Sequence, residues 1–268
     1  MRLTQYRIGC PVERELCVAV VADLHEYDPA PVLGLLEQVR PDVIAVTGDL
    51  LERHGRGENL DRLDRSLTSR LVCAGIRAAE WVTGPWRRES ERVKPENAYR
   101  FLREAGAMAP VVMCRGNHEQ YLTPQDRQVI ASAGVHLLEN AAVDLRGVHF
   151  GGLTSRQITG SYDRGFLEAF SRQSGCKILL SHHPEDYPDL AGYPIDLVLS
   201  GHCHGGQIRL FGRGLFAPGQ GMFPKYHHGV YHDRLVVSAG CANTAPFPRW
   251  GNEPEVVAVR LTPAENGG

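Results

Sequence analysis

Short apolar runs recur from one end of the chain to the other, at Leu16–Ala22, Asp42–Thr47, Pro110–Cys114, Val143–Gly151, Cys176–Ser181, Ile195–Ser200, Arg234–Ser238 and Val256–Leu261. Many are rich in Val, Ile and Leu and do not alternate with polar residues, which predicts central strands covered on both faces. Between the early runs lie helical stretches with marked ends. Asp28 predicts a cap with Pro29 at the first helical position, and the helix runs towards Arg40 before Pro41 stops it. Pro95 opens a second helix that ends at Gly106, and Thr123-Pro-Gln-Asp126 opens a third that ends at Gly134. Strand–helix–strand order in the first half predicts parallel pairing, while shorter connections in the second half predict mixed pairing. The chain reads as one α/β domain over residues 1–268, with two packed sheets and helices outside.

The segment Gly55–Lys94 stands apart. Leu60, Leu63, Leu67 and Leu71 recur at helical spacing, and Trp81, Val82 and Trp86 flank the Gly84-Pro85 break. This predicts a helical insertion: either a hairpin that packs its Leu stripe on the domain, or a lid that selects substrate, since it directly follows Asp49. A second unusual stretch is the Gly/Pro-rich loop over Gly212–Pro224.

Composition excludes several classes. Hydrophobic residues make up 43% and charged residues 22%, which places the chain among ordinary globular proteins. With 29 Lys and Arg against 31 Asp and Glu, no whole-protein field draws it to nucleic acid or an anionic membrane. No basic stripe with interleaved aromatics signals a nucleic-acid partner. The 7 cysteines contain no CxxC pair and predict free cytoplasmic thiols, not a disulfide framework. Met1–Pro11 lacks the apolar core of a secretory signal, and Cys17–Ala22 is too short to cross a bilayer. The expectation is a cytoplasmic protein without a transmembrane segment.

Candidate chemistry is concentrated in five pieces: Asp23-Leu-His25, Gly48-Asp49, Gly116-Asn-His-Glu119, Ser181-His182 and Gly201-His-Cys-His204. Each follows an apolar run and carries groups that bind cations through oxygen or imidazole nitrogen. Asp23 and His25 are two apart and can face the same side, as can His202 and His204. The Asp49 carboxylate has two anionic oxygens, which suits a bridge between cations about 3.5–4 Å apart. Asn117 can ligate without adding charge, and His182 offers a nitrogen while His183 is expected to face away. His118, beside the ions but not necessarily bound, can act on a leaving group. Each piece alone has a plainer reading: a structural Asp/His pair, a Gly-Asp turn, a satisfied core histidine. Together they predict seven ligands, Asp23, His25, Asp49, Asn117, His182, His202 and His204, enough for two divalent ions. This mixed nitrogen and oxygen set accepts Mn, Fe, Zn or Co. Two such ions would lower the pKa of a bridging water from about 15.7 towards 7, and the resulting hydroxide can attack phosphorus without a covalent enzyme intermediate.

Other residues remain open between two readings. Arg53 and Arg115 could fork to substrate phosphate or be salt-bridged. The His-rich run Lys225–His232 could bind metal or form a rim hairpin. Trp81, Trp86, Phe211, Phe216 and Phe223 could wall a lipid or nucleobase site or be packing residues.

The ordered motifs DxH, GD, GNH[ED], H and GHxH, spread over residues 23 to 204, resemble those of the calcineurin-like metallophosphoesterases. The resemblance implies a four-layer α-β-β-α sandwich of two mixed sheets, with a binuclear centre at strand ends between them. It also implies that Asp23, His25, Asp49 and His204 hold one ion while Asp49, Asn117, His182 and His202 hold the other. Glu52 would orient His118, as acidic residues near this position do in protein-phosphatase relatives. The Gly205-Gly-Gln207 extension is similar to a bacterial GHxHGGQ branch of phosphodiesterases and lipid-related pyrophosphate hydrolases. The implied activity is hydrolysis of a phosphodiester or pyrophosphate bond in a small or lipid-derived molecule. A protein-phosphatase-like phosphomonoesterase is the alternative, although Gly48-Asp-Leu-Leu-Glu-Arg-His54 departs from GDxxDRG. A catalytically silent scaffold is disfavoured by the complete ligand set.

Overall fold

A computed structural model describes residues 1–53, 94–243 and 249–263. The helical insertion expected over 55–94 lies outside these residues, apart from Lys94.

The chain forms two six-stranded sheets. The first is built from β1 (Arg2–Cys10), β2 (Leu16–Val21), β3 (Val43–Val46), β4 (Val111–Cys114), β5 (His136–Leu138) and β16 (Glu255–Pro263), in the order β1-β16-β2-β3-β4-β5. From β2 to β5 the pairing is parallel, and β16 runs antiparallel to β2. The second holds β6 (Ala141–Leu145), β7 (Val148–Gly152), β8 (Cys176–Leu180), β9 (Leu197–Ser200), β14 (Gly229–Tyr231) and β15 (Leu235–Val237), in the order β14-β15-β9-β8-β7-β6. Its four central strands are parallel and its two edge strands antiparallel.

Strand periodicity explains the layering. On β2, Val18 and Val20 face a core shared with Phe150, Ile178, Leu180, Leu197 and Leu199 of the second sheet. Ala19 and Val21 face the opposite way, onto α1 (Ala30–Val39) and α2 (Pro95–Met108) through Leu33, Leu36, Phe101 and Leu102. On the far side of the second sheet, Leu179 and Val198 meet Leu167 and Phe170. Those two lie on α5 (Arg164–Ser171), which follows α3 (Pro124–Ser132) and the short α4 (Arg156–Thr159). The result is the expected α-β-β-α sandwich, with central strands apolar on both faces because both faces are covered.

Two local expectations are corrected, and two strands were not foreseen. The run Val143–Gly151 is not one strand but the hairpin β6–β7, turned at Arg146-Gly147, both with positive φ. The helix α1 has Pro29 as its cap, and Asp28 instead accepts a bond from the Ala30 amide at 3.1 Å. The edge strand β1 was missed because its half-exposed residues break the apolar run, and β5 because it is short. The helix opened by Thr123 carries the capping box its sequence predicts, with Asp126 reciprocating. Cys10, Cys17, Cys114, Cys176, Cys203 and Cys241 are free and buried. Among the described residues no helix is long and apolar enough to cross a membrane.

The sheets meet closely where β7 passes β5. A Cβ on Gly152 would lie 2.4 Å from Leu138 Cβ and 2.9 Å from its carbonyl oxygen. Gly152→Ala is therefore expected to lower the unfolding free energy by about 1–3 kcal/mol, as overpacked cores do. An unchanged urea midpoint would contradict this packing.

Candidate metal centre

Five chain segments leave the C-terminal ends of parallel strands on the same rim: Asp23 and His25 after β2, Asp49 after β3, Asn117 after β4, His182 after β8 and His202 and His204 after β9. All seven side chains are buried. Asp23, His25 and His204 bring ligand atoms within 4.8 Å of one another, and so do Asp49, His182 and His202. The two groups adjoin, because Asp49 lies among His182, His118 and His25 and the His202 amide donates to the Asp23 carboxylate at 3.1 Å. Five of the seven hold positive φ: Asp23, His25, Asp49, His202 and His204. Non-glycine residues rarely adopt this conformation, and its clustering at one rim marks a functional site.

Hydrogen bonding sets the tautomers. His182 Nδ1 donates to the Thr47 carbonyl at 2.7 Å, so in the neutral ring Nε2 presents a lone pair. That nitrogen lies 3.0 Å from Asp49 Oδ2 and 3.1 Å from Asn117 Oδ1. Nε2 thus faces two oxygen acceptors, and either a proton or a cation must stand between it and them. His25 repeats the arrangement: Nδ1 donates to Glu52 Oε1 at 2.5 Å, while Nε2 is buried without a hydrogen-bond partner. The donor set fits divalent ions of borderline softness.

Electrostatics divides the histidines. Burial and then His183 push His202 well below its ordinary value, and burial followed by His25 and Arg249 does the same for His204. Both are neutral imidazoles suited to ligation. Burial opposes charge on His182, but Asp49 outweighs it and raises the group to about 10. Burial also opposes charge on His118, yet Asp49 and Glu52 raise it to about 9. Asp49 is held well below the carboxylate range despite its burial, because His182, His118 and His25 surround it.

His118 stands at the edge of this set. Its Nδ1 lies 3.0 Å from Glu52 Oε2, its Nε2 3.7 Å from Asp49 Oδ2, and its ring packs edge-on to His25 at 4.6 Å. Glu52 thus touches both His25 and His118. His183 does not face away as expected: it is buried, 4.3 Å from the His202 ring, with Nε2 on Ser155 Oγ at 2.7 Å and Nδ1 on Glu185 Oε1 at 3.2 Å. The same Glu185 oxygen approaches His202 Nε2 at 3.8 Å. Nothing in the bare sequence distinguishes Glu185 from a surface carboxylate.

Arg53 and Arg115 take the structural reading. Arg53 is buried and forks to Asp126 at 2.8 and 2.9 Å while reaching Glu26 at 2.6 Å. Arg115 binds the Glu119 and Gln120 carbonyls and Glu139. Within the His-rich run, His228 meets Arg2 at 2.7 Å and His232 stacks on Tyr187, so these two serve packing away from the cluster.

The residue that sequence reading undervalued is Glu119. Fully buried, it accepts four backbone N–H bonds, from Asp49 at 2.9 Å, Leu50 at 2.6 Å, Leu51 at 2.9 Å and Gly116 at 2.7 Å. It joins the loop that carries Asp49 to the loop that carries Asn117. Gly116 is needed there because a Cβ would fall 2.1 Å from Asp49 Oδ1 and 2.6 Å from the Asp49 nitrogen.

The profile of the calcineurin-like phosphoesterase family matches residues 17–206, and the chain belongs to that family. It is a metal-dependent hydrolase acting on phosphoester bonds. It is 26% identical over 282 residues to YkoQ of Bacillus subtilis (strain 168), named an uncharacterized metallophosphoesterase, covering 92% of this chain and 84% of that one. An uncharacterized metallophosphoesterase of Aquifex aeolicus (strain VF5) is 26% identical over 281 residues, covering 97% of this chain and 92% of that protein. The UDP-2,3-diacylglucosamine pyrophosphatase LpxG of Chlamydia muridarum (strain MoPn / Nigg) is 27% identical over 219 residues, which span 73% of this chain and 65% of LpxG.

Removing the Glu119 carboxylate would orphan four buried donors, each costing about 1–3 kcal/mol. Glu119→Ala is expected to lower the unfolding free energy by about 3 kcal/mol or more, with the isosteric Glu119→Gln losing less. A loss below about 1 kcal/mol for the alanine variant in urea titration would contradict the role given to this carboxylate.

Proposed function

We propose that this calcineurin-like phosphoesterase hydrolyses a phosphodiester or pyrophosphate bond in a small or lipid-derived molecule, using two divalent ions that share Asp49. Asp23, His25, Asp49 and His204 would hold one ion, and Asp49, Asn117, His182 and His202 would hold the other. The observation that carries this reading is the approach of Asp49 Oδ2 and Asn117 Oδ1 to His182 Nε2, at 3.0 and 3.1 Å, beside a buried His25 Nε2 without a hydrogen-bond partner. When bound, such ions supply Lewis-acid polarisation of the phosphoryl oxygens and bring the pKa of water towards 7.

The chain's own residues supply the rest. Thr47 and Glu52 fix the rings of His182 and His25, so the ligand nitrogens need no reorganisation. Asp49 is oriented from both sides, its Oδ1 accepting the His118 amide at 2.9 Å and its backbone nitrogen bound to Glu119. His118, anchored through Nδ1 to Glu52, carries a proton at Nε2 on the face turned towards Asp49. There it is placed to protonate the oxygen that leaves phosphorus, a role worth about 10²–10⁴-fold. The likeness to LpxG, a UDP-2,3-diacylglucosamine pyrophosphatase, supports a pyrophosphate in a lipid-derived molecule as one form of the substrate.

Initial rates on a bis-aryl phosphodiester and its aryl monoester, measured with Mn²⁺, test this reading. Turnover of the diester that vanishes in Asp49→Asn is expected; turnover of the monoester alone would replace it by a phosphomonoesterase. His118→Ala is expected to retain its metal content while kcat falls by about 10²-fold or more. Metal loss in that variant would overturn the assignment of His118.

A further inference from the structure

Beyond His204 the chain builds two small hairpins on the same rim. The first pairs β10 (Arg209–Leu210) with β11 (Arg213–Gly214), and the second pairs β12 (Phe216–Ala217) with β13 (Gly221–Met222). Seven large apolar residues are exposed among the described residues, and five belong here: Leu210, Phe211, Met222, Phe223 and Trp250. Phe211 is 105% exposed and Phe223 71%. Single exposed apolar residues are ordinary on a protein surface, but a concentration of them on one element is not.

These residues share one patch because backbone bonds tie them together. Arg209 N donates to the Trp250 carbonyl at 2.8 Å, Leu215 N to Ile208 at 2.8 Å, and Phe223 N to Leu215 at 2.9 Å. The first hairpin turns through Phe211-Gly212 with both φ positive, 52° and 79°, in a two-residue turn that usually takes Asn-Gly. Phe223 also has positive φ, at 55°. A bulky side chain seldom tolerates this conformation, and here it turns two phenyl rings outward from the fold.

Charge distinguishes the patch further. The whole chain has a formal charge of −2, yet no Asp or Glu occurs from Gly205 to His232, while Arg209, Arg213 and Lys225 do. Arg213 and Lys225 are exposed; Arg209 is turned inward to Gly205 O and Asn252. Exposed acids border the stretch at Asp233, directly after His232, and at Glu253, beyond Trp250. The patch is anchored beside the candidate centre, since Leu215 N also approaches Gly206 O at 3.2 Å and Asn252 Nδ2 binds His204 O at 2.6 Å.

We propose that this hairpin pair docks on the surface of an anionic phospholipid bilayer. Phe211, Phe223, Leu210 and Trp250 enter the boundary between headgroups and acyl chains, and Arg213 and Lys225 meet lipid phosphates. Exposed rings beside exposed cations suit the headgroup boundary better than the charge-depleted, close-packed core of a protein interface. Docking would hold the rim of the centre at the depth where lipid phosphoesters lie. It stands apart from the hydrolytic reading, as vesicle binding is read by sedimentation and not by turnover.

The test sediments the metal-loaded full chain with vesicles of phosphatidylcholine alone or mixed with phosphatidylglycerol, at low and high salt. The chain is expected to pellet with the anionic vesicles, less so at high salt, and only weakly with neutral ones. Phe211→Ser combined with Phe223→Ser should lower the partition coefficient about tenfold or more, and Arg213→Glu with Lys225→Glu about tenfold. Unchanged thermal midpoints show that the variants fold. The proposal is overturned if the wild-type chain stays in the supernatant, or if the phenylalanine variant pellets like wild type. It is equally overturned if the chain is a dimer that the same substitutions dissociate, for then the patch belongs to a second copy.

Discussion

The candidate centre depends on one buried carboxylate that touches none of the proposed ions. Glu119 gathers the amides of Asp49, Leu50, Leu51 and Gly116, and so locks the end of β3 to the end of β4. A charged group with no exposed surface is costly unless its lone pairs are satisfied, and four donors satisfy it. The consequence reaches Asp49. With its backbone fixed by Glu119 and Oδ1 taken by the His118 amide, its Oδ2 is left facing His182. The carboxylate proposed as the bridge is thus oriented before any ion arrives, which is what pre-organisation means in physical terms.

The sandwich supplies the remaining convergence. Parallel strands deliver their C-terminal ends to one rim, and two sheets side by side double the number of ends available there. Asp23, Asp49 and Asn117 come from one sheet, and His182 and His202 from the other. The seam is tied directly, since the His202 amide bonds both carboxylate oxygens of Asp23 at 3.1 Å. Positive φ at five candidate ligand positions is backbone strain, and the apolar layers on both faces of each sheet hold it in place.

The fold and the convergence of the candidate ligands were legible because both depend on local chemistry. Continuous Val/Ile/Leu runs mark strands buried on both faces, and ligand residues are conspicuous when they follow such runs directly. What was illegible depends on long-range contact. Arg53 and Arg115 sit beside motifs in sequence, yet their partners Asp126 and Glu139 are supplied by later elements. His183 and Glu185 are joined to His202 only by the packing of separate strands. The β6–β7 hairpin was concealed because Arg146-Gly147 lacks a stronger turn signal, although both residues adopt positive φ. The aromatics of the Gly/Pro-rich loop were readable as wall or packing; their exposure decides against packing for Phe211 and Phe223.

The most direct measurement is anomalous scattering from crystals of the Mn²⁺-loaded protein. The account predicts two peaks about 3.5–4 Å apart on either side of Asp49, one near Asp23, His25 and His204, the other near Asn117, His182 and His202. A single peak, or ions bound away from Asp49, would contradict a centre built around a shared carboxylate.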